Sequence, residues 1–186
     1  ISGGTYEQPR LLGHSGDAAT ARDTAPAVRE STRQREAYFM AYAEAIRQVC
    51  DIPLMVTGGF RTRAAMMDAL ASGNANVIGI ARPLCTDPDT AKDLISGRIQ
   101  EAVTYEKQLR LADRGLFSPA SPVMPLKVIN VIGGQAWYYQ QIFHLADGEA
   151  VNLKLGVLGA FFKYFKNEIS TALRLKRAEK RRAKAA

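Results

Sequence analysis

Two short apolar segments, separated by a helical segment, most constrain what this chain can fold into. The first, residues 54–57, ends at Gly58, and the second, residues 76–81, ends at Arg82. Short β-rich runs without apolar–polar alternation are typical of strands buried on both faces of a parallel sheet. With the helical patterns around them, residues 31–97 predict the order α-β-α-β-α with short connections, and therefore βαβ units.

The segments beside these strands carry signals that begin and end helices. Thr62 is suited to N-cap a helix over residues 63–72, and Gly73 is suited to end it. Asp87, followed by proline, predicts the start of another helix that Gly97 closes. The start and stop signals of these helices therefore fit a chain in which helices and strands alternate.

Helical patterns also precede and follow this region. Residues 31–34 fit a capping box, which predicts a helix that runs to about Val49. A further helix over residues 98–113 is compatible with the pattern, and the segment GLFSPASPVMP then interrupts any regular structure. Beyond it, residues 127–147 and 151–182 are predicted to be helices that carry aromatic clusters.

The length limits the architecture. The 186 residues suit one domain, or one domain and a small addition, whereas a complete (β/α)8 barrel needs about 250 residues. Hydrophobic residues make up 47% and charged residues 23% of the chain. This is the balance of an ordinary globular protein, and it excludes a disordered, collagen-like or disulfide-scaffold chain.

The net charge of +7 is concentrated at one end of the chain. Residues 174–184 hold seven basic residues and one acidic residue, which leaves the remaining chain at +1. A terminal basic run is usually a solvated helix end, and binding to an anionic membrane or to nucleic acid is the alternative. We expect no nucleic-acid partner.

Cysteine usage and hydropathy favour a cytoplasmic protein. Cys50 and Cys85 form no CxxC pair, so we expect no cysteine-bound metal. The start of the chain has no apolar secretory core, and no stretch of 18 uninterrupted apolar residues is present, so we expect no membrane span.

Both predicted strands end in residues that suit a phosphate. Gly58 and Gly59 allow a ligand to approach the backbone N–H groups closely, and the Arg82 guanidinium is suited to bind a phosphate with two hydrogen bonds. In (β/α)8 enzymes a phosphate often lies between the loops after strands 7 and 8. Either motif alone is weak, because most Gly-Gly pairs are only turns and most strand-end arginines form salt bridges; together they favour a phosphate site.

The chain resembles the C-terminal half of the old yellow enzyme-type NADH:flavin oxidoreductases in five successive motifs, ISGGTYE, REAYF, PLMVTGGFRTR, MDALASG and NVIGIARPLCTDP. The resemblance covers about residues 1–98. It implies an α/β fold that is the C-terminal part of a (β/α)8 TIM barrel, with the end of strand 6 and strands 7 and 8, followed by an α-helical C-terminal extension. The implied domains are a partial FMN-binding barrel over residues 1–113 and a helical extension with a basic tail over residues 114–186.

The resemblance also implies a function. An FMN-dependent oxidoreductase of the ene-reductase type would take a hydride from NAD(P)H and reduce an activated alkene or a similar small molecule. By the matched motifs, Gly58, Gly59 and Ala81 would bind the FMN phosphate through backbone N–H groups, and Arg82 would add a charged contact. The formation of a homo-oligomer is left open by the sequence. Ser2 would lie near the flavin, although a plain turn serine is the favoured interpretation.

The departures from the family pattern concern catalysis. The family's His pair or His/Asn pair and its proton-donating Tyr belong to earlier strands, so the catalytic residues are expected upstream of Ile1, and this chain alone is expected to be inactive. His14 and His144 do not fit that pattern. We expect His14 in a solvated loop and His144 in a helix, either at its surface or as a packing residue. The segment RIQEAVTYEKQLR lacks the cysteines of the iron–sulfur branch, so we expect neither a cluster nor another metal site. Cys85 is expected to pack as a small apolar side chain.

Two other functions remain open on the sequence. One is a different phosphate-binding TIM-barrel enzyme that acts on a sugar phosphate or a nucleotide. The other is a non-enzymatic, basic and aromatic helical module that binds a membrane or an acidic partner. The helix that carries the aromatic segment WYYQQIF is expected to pack on the outer helices of the barrel, with a lid or a dimer contact over the active-site mouth as the alternative.

Overall fold

The computed structural model describes residues 40–185 of the chain. They belong to two compact units, of which the first extends to Tyr105 and the second begins at Glu106. In chain order the elements are α1 (Met40–Arg47), β1 (Met55–Thr57), α2 (Arg63–Ala71), β2 (Val77–Gly79), a 3-10 helix (Arg82–Cys85), α3 (Thr90–Ser96), α4 (Met124–Ala146) and α5 (Val157–Ala185). The sequence predicts a domain boundary after residue 113. The assignment of the first unit to a barrel stays a prediction.

The first unit is built on two parallel strands. β1 pairs with β2 in a register that joins Met55 to Val77 and Thr57 to Gly79. Since α2 connects the two strands, the predicted βαβ unit is confirmed. Val56 and Phe60 are fully buried in its core, where helix and sheet side chains exclude water.

The prediction that both strands are buried on two faces is wrong for the described residues. Met55 is 51% exposed and its register partner Val77 is 50% exposed, whereas Val56, the next residue of β1, is buried. Side chains alternate between the two faces of a strand. One face of the pair therefore packs on the core, and the described residues leave the other face uncovered.

The helix ends follow local hydrogen-bonding chemistry. The Thr62 hydroxyl accepts a hydrogen bond from the Ala65 N–H at 3.3 Å, as predicted for an N-cap. The prediction for Asp87 is wrong, because Asp89 is the N-cap of α3. The Asp87 carboxylate instead accepts from the Asp89 N–H at 3.0 Å, which forms an Asx turn and delays the helix. Gly97 ends the helix with a positive φ of 77°, as predicted.

Of two further predicted helices, one lies partly outside the described residues and the other is not formed. The helix predicted to run from residue 31 is described only as α1, and its capping box lies outside the described residues. Residues 98–113 form no helix. Their backbone returns to α2 instead, because the Arg63 N–H donates to the Gln100 carbonyl and the Ala102 N–H donates to the Arg61 carbonyl, both at 2.8 Å.

The second unit is a pair of helices, α4 and α5, whose connection is fixed by Gln141. The Gln141 side-chain oxygen accepts from the Asn152 N–H at 2.7 Å, and its amide donates to the Asn152 carbonyl at 3.2 Å. These bonds hold the connection in an irregular conformation, so α5 begins at Val157 and not at the predicted residue 151. The helix α4 begins at Met124, so Pro125 lies in its first turn, where proline is favoured.

A second buried amide fixes the proline-rich segment. Asn130 accepts from the Leu111 N–H at 2.8 Å, and it donates to the carbonyls of Phe117 and Leu126 at 3.1 and 2.9 Å. Trp137, on the same helix, is buried. The packing of the aromatic segment on the outer helices of a barrel stays a prediction. Across residues 40–185, none of the helices is both long enough and apolar enough to cross a bilayer.

The close approach of the two long helices predicts opposite effects for two adjacent glycines. A Cβ at Gly133 would lie 2.5 Å from Val157 Cγ1 and 2.9 Å from the Val157 carbonyl oxygen, whereas one at Gly134 would meet nothing nearer than 3.7 Å. We expect Gly133→Ala to lower the free energy of unfolding by about 1–3 kcal/mol. Gly134→Ala should leave it unchanged or raise it by up to about 1 kcal/mol, because alanine favours a helix.

Denaturation followed by circular dichroism measures both variants against the unchanged chain. Equal effects at the two positions would contradict the observed helix contact, since the two substitutions change helix propensity equally.

Candidate functional site

The candidate site lies where the two parallel strands end. Thr57 and Gly79 are the last register pair of the sheet, so Gly58-Gly59 and Ala81-Arg82 leave the sheet at the same edge. Adjacent strands lie about 4.8 Å apart. The structure therefore brings together, at one edge, the two segments that contain all four residues predicted to contact a phosphate.

The two glycines of the first segment have a backbone conformation that other residues rarely adopt. Gly58 has a φ of 119° and Gly59 a φ of 82°. A Cβ atom would strain both positions. The Gly-Gly pair thus turns the chain at the end of the strand without placing a side chain there.

Gly79 is a third glycine of the site, and sequence analysis assigned it no role. A Cβ on Gly79 would overlap the Thr57 hydroxyl oxygen and lie 2.8 Å from Met55 Cε. The absence of a side chain thus allows the end of β2 to lie directly against Thr57. An isolated glycine inside a strand pattern often marks such a close approach, and this signal was present in NVIGIAR.

The second segment turns sharply after β2. Ala81 has φ −128° and ψ −66°, and Arg82 begins the one-turn 3-10 helix. The Ala81 carbonyl accepts from the Leu84 N–H at 2.9 Å and from the Cys85 thiol at 3.6 Å. These bonds fix the backbone around Ala81, and Arg82 is half-buried at the beginning of the turn.

The positive charge of Arg82 acts on the pKa of the Cys85 thiol. Burial raises the pKa of the Cys85 thiol, and the positive charge of Arg82 partly opposes this rise. A thiol with a raised pKa is a poor nucleophile near neutral pH, because the thiolate is the reactive form. This supports the interpretation of Cys85 as a packing residue.

The remaining candidate residues belong to the second unit or are outside the described residues. Ser2 and His14 are outside the described residues. His144, near the end of α4, lies with its Nδ1 2.8 Å from Glu149 Oε2, and its side chain is partly buried, within the expectation of a surface or packing histidine. Among residues 40–185, no three His, Cys, Asp or Glu side chains form a group that could hold a metal ion.

Comparison with curated proteins finds relatives that share one function. The chain is 31% identical over 121 residues to the NADH-dependent flavin oxidoreductase iliE of Hypocrea jecorina, covering 64% of this chain and 26% of that protein. It is 29% identical over 154 residues to the NADH-dependent flavin oxidoreductase iccE of Talaromyces variabilis, covering 78% and 33%. A third relative, iliE of a Neonectria species, is 37% identical over 90 residues, covering 47% and 11%.

The chain is a homologue of NADH-dependent flavin oxidoreductases. The resemblance that its five motifs suggested is thereby confirmed. The chain spans only a quarter to a third of the length of the first two relatives. No protein-family model matches the chain, and no solved structure matches it.

The electrostatic coupling of Arg82 and Cys85 predicts a measurable pH dependence. In a Cys50→Ser background, alkylation of Cys85 by iodoacetamide should have its midpoint above the ordinary thiol pKa of 9.0, because burial disfavours the thiolate. Arg82→Gln should move the midpoint higher still, because it removes the charge that favours the thiolate. Arg82→Lys keeps that charge and should change the midpoint little; a lower midpoint in Arg82→Gln would contradict the coupling.

Proposed function

We propose that this chain forms the phosphate-binding end of an FMN-dependent NAD(P)H oxidoreductase of the ene-reductase type. One observation carries the proposal: in a homologue of NADH-dependent flavin oxidoreductases, the two segments that match the family's phosphate motifs leave paired, parallel strands at the same edge. FMN, when bound, supplies the hydride transfer from NAD(P)H to an activated alkene or a similar acceptor.

The residues at the strand ends fit a phosphate group. The backbone N–H groups of Gly58, Gly59 and Ala81 would hydrogen-bond to phosphate oxygens, and the Arg82 guanidinium would balance the negative charge. The positive φ values at the two glycines support this role, since they describe a turn that tolerates no side chain. In this proposal the four residues bind and orient the cofactor and take no part in the catalytic chemistry itself.

The uncovered face of the strand pair supports a place in a larger sheet. Met55 and Val77 are half exposed as register partners, and β1 and β2 have no other strand beside them among the described residues. A closed barrel pairs every strand edge and covers both faces. We therefore propose that β1 and β2 are strands 7 and 8 of a (β/α)8 barrel of which residues 1–113 form only a part, and that residues 114–186 are its helical extension.

Substitution of the site residues in the full-length gene product tests the cofactor assignment. The unchanged protein should purify yellow with FMN. We expect Arg82→Gln to weaken FMN binding by about tenfold or more, because a hydrogen bond to a charged group is lost. Reconstitution of the FMN-free protein, followed by flavin fluorescence, gives the dissociation constants.

A glycine pair separates a role in binding from simple backbone strain. Gly59→Ala and Gly73→Ala both introduce a side chain at positive φ, 82° and 73°, which costs about 1–2 kcal/mol. Only Gly59→Ala should also weaken FMN binding, since Gly73 lies at the end of α2, where a Cβ would meet open space. Equal FMN affinity in both variants would remove Gly59 from the site. A colourless protein that binds a sugar phosphate or a nucleotide would overturn the FMN assignment itself.

A further inference from the structure

The long helix α5 carries two apolar stripes, and only one of them packs against α4. The packed stripe contains the buried residues Val157 and Ala160, and Tyr164 on the same side contacts Tyr139 of α4 with ring centroids 5.6 Å apart. Gly133 lies directly against Val157 at this contact. This side of α5 therefore forms the contact that joins the two helices of the second unit.

The other stripe has no cover among the described residues. It consists of Leu158, Phe162, Phe165, Ile169 and Leu173, which we call the outer stripe. With 100° between successive residues, these positions fall within about 80° of the helix circumference and extend over about 22 Å. Their side chains are 38–61% exposed. A row of large exposed apolar side chains of this length marks an interaction surface.

The charge of α5 identifies the kind of partner. Its sequence holds nine Lys or Arg residues and two Glu residues, so this one helix carries a net charge equal to the +7 of the whole chain. Among residues 157–183, five basic residues lie on the 80° of circumference next to the outer stripe: Lys163, Lys166, Arg174, Arg177 and Arg181. We call them the basic flank. The partner must therefore be apolar along one line and negatively charged beside it.

Three arginines of the basic flank share a groove. Arg174, Arg177 and Arg181 line one shallow groove with Ser170, and no ion pair joins them to the described residues. Guanidinium groups at this spacing on one side of a helix are suited to bind the oxygens of phosphate or carboxylate headgroups.

Charge complementarity separates the alternative occupants. A second copy of the chain would bring another helix of charge +7 to the same surface, and like charges would oppose that contact. A nucleic acid would neutralise the basic flank, but it would leave the outer stripe in water. A bilayer with anionic lipids meets both requirements, because acyl chains receive the apolar stripe and headgroups receive the arginines.

We propose that α5 lies in the plane of an anionic lipid bilayer, with the outer stripe among the acyl chains and the basic flank at the headgroups. Since no described helix is suited to cross a bilayer, the helix would attach the protein to one leaflet. The outer stripe and the basic flank would both contribute to binding, because the affinity of an interfacial helix increases with its buried apolar area and with its attraction to anionic lipids.

Flotation of the full-length gene product with lipid vesicles tests this proposal. We expect binding to phosphatidylcholine vesicles that contain phosphatidylserine, little binding to phosphatidylcholine alone, and weakening by salt. The double variant Phe162→Ser/Ile169→Ser should lose about tenfold or more of the affinity. The triple variant Arg174→Gln/Arg177→Gln/Arg181→Gln should lose about a hundredfold.

Matched controls keep the result specific. Ile95 is an exposed apolar residue of α3 and Arg110 is an exposed arginine outside α5, so Ile95→Ser and Arg110→Gln should leave vesicle binding unchanged. Circular dichroism confirms that every variant keeps its helix content. FMN retention is measured in parallel, so the failure of this proposal and the failure of the proposed cofactor remain distinguishable.

Three outcomes would overturn the proposal. The first is equal binding to both kinds of vesicle, or to neither. The second is an unchanged vesicle affinity in Phe162→Ser/Ile169→Ser. The third is a change of oligomeric state in that variant without a change in vesicle binding, which would assign the outer stripe to an interface between copies of the chain.

Discussion

The parallel pairing of β1 with β2 is the constraint on which the candidate site depends. The register that ends at Thr57 and Gly79 sends the Gly-Gly turn and the Ala81-Arg82 turn away from the same edge. That register needs a glycine at position 79, because any Cβ there would occupy the space of the Thr57 hydroxyl. Because Gly79 has no side chain, the Gly-Gly turn and the Ala81-Arg82 turn can lie at the same edge of the sheet.

The second unit depends on buried amides in a similar way. Asn130 and Gln141 lie inside the helical unit and satisfy backbone groups of segments that have no regular structure. A buried polar group is costly when it lacks a partner, so these side chains fix particular conformations of the connections. The outer stripe and basic flank of α5 are then presented by a helix whose other side is already packed.

Sequence analysis predicted most of the elements but misplaced several of their ends. The Thr62 cap, the Gly97 end and both strands follow from local chemistry, which a short segment contains in full. The delayed start of α3 and the absence of a helix over residues 98–113 depend on competing hydrogen bonds, of which those from Ala102 and Arg63 link distant segments. The exposure of Met55 also required the structure, because an apolar run does not reveal which faces its neighbours cover.

The sequence by itself determined the order of strands and helices, the family to which the chain is related, and the concentration of positive charge at its end. These properties follow from residue types and spacings, which tertiary contacts do not alter. Only the tertiary structure decided the register in which the two strands pair, that Gly79 lies against Thr57, and that one of the two apolar stripes of α5 is packed. Each of these depends on contacts between residues far apart in the chain, whose distances no local pattern specifies.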